Sequence, residues 1–82
     1  MILNVIEAEY LKNYEIILSF DNGEKYIVDL KNTIFNETRK IFQPLKDPIY
    51  FKNFEIKYNT ITWENEADFA PEFLLELGKS IN

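Results

Sequence analysis

Three carboxylates, Glu64, Glu66 and Asp68, stand at alternate positions between Ile61-Thr62-Trp63 and the proline-led run Phe69-Ala70-Pro71. Acids so spaced could bind a divalent cation through oxygen, or act as an acid–base pair. The first chemistry resembles a calcium loop. The glycine, the later acids and the bidentate glutamate of such a loop are missing at the required offsets. The second, a Glu64/Glu66 pair, needs a cleft, and 82 residues offer little depth for one. The plain reading is a corner of the fold, with Asp68 capping the helix that follows. No catalytic, cofactor-binding or metal-binding residue is assigned.

The rest of the chain supplies little else for catalysis. It has no histidine and no cysteine. The usual general base at neutral pH, the thiolate nucleophile, the disulfide and the zinc–sulfur site are therefore all excluded. Ser19 and Ser80 have no histidine to activate them. There is no glycine-rich phosphate loop. Lys46, Lys52 and Lys57 lie among Tyr50, Phe51, Phe54 and Tyr58, a mixture that could grip single-stranded nucleic acid. Here those aromatics fall at expected core positions.

The net charge is −5, unevenly spread. Residues 1–30 carry −4, residues 31–57 carry +3 and residues 58–82 carry −4. An acidic whole opposes nucleic-acid binding, which depends on neutralising phosphates.

The elements that must position these groups are read from hydrophobic period. Tyr14, Ile16, Leu18 and Phe20 alternate with Glu15, Ile17 and Ser19, and Tyr26, Val28 and Leu30 alternate with Lys25, Ile27 and Asp29. A three-residue loop, Asp21-Asn22-Gly23, pairs Leu18 with Tyr26, Ile16 with Val28 and Tyr14 with Leu30. A two-residue turn would mix the faces. Gly23 supplies the positive φ that the loop needs. Residues 1–10 predict a further strand with Ile2, Ile6, Ala8 and Tyr10 on one face, joined through a Lys12-Asn13 turn. Thr33 to Phe42 predicts a short helix capped by Asn32 or Asn36 and stopped by Pro44. Asp47-Pro48 starts a brief helical turn. Phe54, Ile56 and Tyr58 form a second hairpin with Ile61 and Trp63. An Asn59-Thr60 loop there pairs Tyr58 with Ile61 and Ile56 with Trp63. Phe69, Phe73, Leu74 and Leu77 make a helical stripe ended by Gly78 and Lys79, and Trp63 is expected in the core.

The expected fold class is therefore α+β, as one domain over residues 1–82. It combines a small antiparallel sheet (a three-stranded meander plus a second hairpin) with short helices, the clearest at the C-terminus. No apolar run reaches the ~20 residues of a membrane span. The N-terminus lacks the basic region and cleavage motif of a signal peptide, so the expected location is cytoplasmic.

At family level, the sequence resembles domain-of-unknown-function family 2442, small bacterial proteins. The resemblance rests on Phe20-Asp21-Asn22-Gly23 with Val28-Asp29-Leu30, Leu45-Lys46-Asp47 with Phe51, and Phe54-Glu55-Ile56. It closes on Ile61-Thr62-Trp63 and Asp68-Phe69-Ala70-Pro71-Glu72-Phe73-Leu74. It departs at Glu64-Asn65-Glu66-Ala67, where the family usually has a turn containing proline and glycine. The resemblance implies an α+β fold and no established activity. Some relatives are longer chains with a C-terminal helix-turn-helix. No such segment is read here, so DNA binding does not carry over. It also implies an arrangement similar to toxin–antitoxin pairs, because members tend to be encoded beside another small protein. The expected function is a non-enzymatic protein-interaction module, the antitoxin-like or regulatory member of a two-gene pair, with a protein partner or a second copy of itself. The alternative is a small regulatory nucleic-acid-binding protein using the +3 middle segment.

Overall fold

In the computed structural model, which describes residues 2–81, β1 (Val5–Tyr10), β2 (Glu15–Phe20) and β3 (Lys25–Asp29) form the expected meander. Ile16 faces Val28 and Leu18 faces Tyr26, as the alternation predicts. The Leu30 N–H donates to the Tyr14 carbonyl, 3.0 Å, in line with the third predicted pair. Gly23 takes φ +86° in the three-residue loop. Between β1 and β2, Asn13 and Tyr14 both have positive φ, 49° and 67°, the signature of a tight two-residue hairpin turn. Tyrosine is costly there. Its ring packs edge-on against Phe35 and Phe51, and its hydroxyl donates to the Lys46 carbonyl, which holds it in place.

β1 departs from the expected face. A bulge between Val5 and Glu7 inserts an extra residue, so Val5 turns inward and Ile6 outward while Ala8 and Tyr10 keep the core side. Ile2 is also exposed. Asn4 and Asp21 clasp this end. The Asn4 N–H and Nδ2 donate to the Asp21 carboxylate at 3.0 and 2.7 Å, and the Asp21 N–H returns a bond to the Asn4 carbonyl. These bonds hold the Asp21 carboxyl below its usual range.

The predicted helix from Thr33 to Phe42 is two pieces. α1 spans Lys31–Phe35, and a 3-10 helix spans Lys40–Lys46. The Glu37 carboxylate accepts the Thr38 and Arg39 N–H groups, 3.1 Å each, drawing them away from helical acceptors and breaking the run. Neither Asn32 nor Asn36 caps. The Asp29 side chain accepts the Lys31 N–H instead, and Asn36 ends α1. Pro44 sits inside the 3-10 helix rather than stopping it. α2 (Pro48–Phe51) begins as predicted, with Asp47 accepting the Ile49 N–H at 2.9 Å.

The second hairpin, β4 (Glu55–Lys57) and β5 (Thr60–Thr62), turns at Tyr58-Asn59 and not at Asn59-Thr60. Ile56 therefore faces Ile61, and Lys57 faces Thr60. Tyr58 and Asn59 take φ 53° and 71°; β-branched Thr60 thereby avoids a positive φ. Tyr58 is left 77% exposed, outside the core that its spacing predicted. The hairpin tip meets β1 where the Val5 N–H donates to the Asn59 carbonyl, 2.9 Å.

α3 (Pro71–Leu77) follows Ala70, not Asp68, and no side chain caps it. Asp68 bridges to Thr62 through its backbone. Leu74 is buried and Leu75 packs against the core, whereas Phe73 and Leu77 are partly exposed. After Gly78 the chain forms β6 (Lys79–Ser80), which pairs with β3 and makes the meander a four-stranded sheet in the order β1-β2-β3-β6. Two residues carry no period, so this strand is invisible in the sequence pattern.

The core lies between the inner face of that sheet and the helices and second hairpin. Ile16, Leu18, Phe20 and Val28 meet Ile34, Phe42, Leu45, Phe51, Ile61, Trp63 and Leu74. Gly78 lets α3 run directly into β6. A Cβ there would lie 2.9 Å from the Tyr26 Cβ and 3.2 Å from the Leu74 carbonyl. Gly78→Ala should therefore cost about 1–3 kcal/mol in urea unfolding, although its backbone angles suit alanine.

Candidate functional site

Trp63 ends the inward alternation of the second hairpin, and the acidic turn hangs from it. Its indole N–H donates to the Phe51 carbonyl at 2.7 Å, so a 2%-exposed ring keeps its polar atom satisfied. The Trp63 N–H donates to the Ala67 carbonyl at 2.9 Å, and the Glu66 N–H returns to the Trp63 carbonyl at 2.8 Å. Asn65 ties the turn to the body. Its amide donates to the Ile41 carbonyl at 2.8 Å, its carbonyl oxygen accepts the Ala67 N–H, and its own N–H reaches the Tyr50 hydroxyl.

This turn divides the three acids. Glu64 borders a small hollow with Asn53, Glu55 and Lys57. Glu66 and Asp68 border a different one, an open groove of about 490 Å³ beside α3. The Glu64/Glu66 pair is thus split between two hollows. Among the described residues no group of three or more acids is placed to hold a metal ion. The groove instead brings Glu66 and Asp68 together with Glu37 and Arg39 from the break after α1. Buried Phe42 and Phe69 lie beneath, and the partly exposed Ile41 and Phe73 form walls. Phe73 stacks on Phe69 with 5.7 Å between centroids. The groove is an apolar floor with a carboxylate rim, open to water.

Sequence reasoning missed Glu37, Arg39, Ile41 and Phe73 as groove residues. The first three lie more than twenty positions from the acidic turn, and no local pattern joins them to it. Arg39 donates from Nε and Nη2 to the Glu37 carboxylate at 3.0 and 2.9 Å and lies 4.7 Å from the centre of the Phe42 ring. Its guanidinium first, and its backbone N–H next, bring the Glu37 carboxyl down to about 2. The Glu66 and Asp68 carboxylates make no hydrogen bond or ion pair among the described residues.

A family model described as "Protein of unknown function (DUF2442)" matches residues 5–80, from the first residue of β1 to the last of β6. The chain belongs to the DUF2442 family. No curated protein and no solved structure gives a match. In this DUF2442 protein the turn after Trp63 carries a strained residue. Glu66 takes φ +72°, the left-handed conformation that glycine adopts without penalty. No helix among the described residues is long and apolar enough to cross a membrane.

Two outcomes follow from this geometry. Glu66→Gly should stabilise the fold by about 1 kcal/mol in chemical denaturation, by removing the left-handed strain. Arg39→Gln should return the Glu37 carboxyl, followed by NMR titration, toward its ordinary 4.5. With the pair intact, the lowered Glu37 value stabilises the fold above that ordinary range, and this support is lost as pH falls from about 4.5 to about 2.

Proposed function

We propose that this DUF2442 protein is a bacterial, cytoplasmic, non-enzymatic interaction module, the antitoxin-like or regulatory member of a two-gene pair. The observation that carries this reading is the groove beside α3. Its aromatic floor and its two unpaired carboxylates, Glu66 and Asp68, match a partner segment that places lysine or arginine beside an apolar side chain. The separation of Glu64 from Glu66 supports a binding role over acid–base chemistry.

One observation favours the nucleic-acid reading. Tyr58, 77% exposed, stands next to Lys57, a pairing suited to stacking on a base beside a phosphate. Cations of the middle segment, Lys57 included, are engaged internally. Arg39 pairs with Glu37, Lys57 lies 3.7 Å from Glu55, and Lys46 lies over the Phe35 ring. This leaves fewer charges for a phosphate backbone, and the interaction module is the stronger reading.

Coexpression with the product of the neighbouring gene should yield a complex that copurifies. Glu66→Gln with Asp68→Asn should weaken that complex by roughly tenfold while leaving the fold intact. Failure to copurify, together with salt-dependent retention of DNA or RNA on a filter, would replace this reading with the nucleic-acid one.

A further inference from the structure

One row on the outer face of the four-stranded sheet carries a charge pattern that is its own complement. Cross-strand partners share a face, so the registers order the outward side chains into rows. One row reads Glu9, Ile17, Ile27, Lys79 from β1 to β6. Read backwards it is base, isoleucine, isoleucine, acid. A second copy, rotated by a twofold axis that runs along the strands, lays the row over its own reverse. Each Glu9 then meets Lys79 of the other copy, and Ile17 meets Ile27. The two isoleucines are half-buried at the middle of the row, and Glu9 and Lys79 are exposed at its ends.

The next row repeats the fit in shape. Ile81 follows β6 and donates its N–H to the Lys25 carbonyl at 3.1 Å, which puts it across the sheet from Glu7. In the rotated copy Ile81 lands over a hollow of about 380 Å³ with Ile6 and Ile56 in its lining. All three are solvent-exposed, at 42%, 56% and 39%. The bulge that turns Ile6 outward thereby builds a lip for the last apolar residue of the other copy. We infer that this sheet face associates with a second copy of the chain, Glu9 against Lys79 and Ile81 against the Ile6–Ile56 lip.

The third row limits the contact. Glu15 stands directly opposite Asp29 within one chain, and the same rotation brings that pair over its own copy. Like charges there push the sheets apart at one end. Four short strands about 4.8 Å apart present a face of only about 300 Å², below the ~800 Å² per partner of a standard interface. The dimer is accordingly weak and forms at about 0.1–1 mM chain.

Sedimentation equilibrium at fixed ionic strength tests this. The wild-type mass should rise toward twice the monomer across that concentration range. Glu9→Lys and Lys79→Glu should each leave a monomer, because each makes the row like-charged at both ends. The two together should restore the dimer by exchanging the ends, and Glu15→Gln should tighten it. A monomer mass at every concentration overturns the inference. So does a dimer that survives both single reversals, or a double reversal that stays monomeric.

Discussion

A buried indole must find an acceptor for its N–H, and the whole of this fold is arranged around the one that Trp63 finds. The Phe51 carbonyl is free to accept because α2 has only four residues and ends at Phe51. That single bond joins the second hairpin to the helical connection. Around it the Trp63 ring touches Phe51, Phe54 and Phe69, with centroids 5.5, 6.2 and 5.9 Å away. Without the acceptor, burial of the ring would carry an unsatisfied donor, at a cost of about 1–3 kcal/mol. The acidic turn leaves directly from this anchored residue, so the place where Glu66 and Asp68 emerge is set by the core.

The same anchoring explains how a short loop tolerates a strained glutamate. Asn65 uses its N–H and both ends of its amide side chain on Tyr50, Ile41 and Ala67. These bonds over-determine the turn, and the Glu66 backbone takes the conformation left to it. Buried Thr60 does similar service nearby, donating its hydroxyl to the Phe69 carbonyl. The hairpin, the turn and the approach to α3 are therefore tied together by hydrogen bonds.

The legible parts of the fold were those in which one local rule met no competitor. The first hairpin combined strict alternation with Asp21-Asn22-Gly23, and its register followed directly. Asp47-Pro48 marked a helix start, and Trp63 was read correctly as core. The second hairpin turned one residue earlier than the Asn59-Thr60 loop that its alternation indicated. That turn puts a tyrosine at positive φ, against the usual preference for glycine or asparagine, and spares Thr60. The β1 bulge broke a period-two reading by a single residue. The helix from Thr33 failed because Glu37 bonds to its own following backbone, a competition that spacing does not register. At the candidate site, the acids were visible as a cluster. Their division between two hollows, and the arrival of Glu37 and Arg39 at one of them, required the tertiary structure. The family was recognisable from the order of its short motifs.

The pairing of β3 with β6 has a consequence for how the protein is made. On the ribosome β1, β2 and β3 leave the tunnel in succession and can zip together through local turns. The free side of β3 then waits while four helical segments and the second hairpin are synthesised, because its other neighbour comes after them. During that interval Tyr26 and Ile27 present an unsatisfied edge to every other nascent chain nearby. Lys25 and Asp29, one charge at each end of the strand, discourage stray pairing until Lys79 and Ser80 arrive to close it.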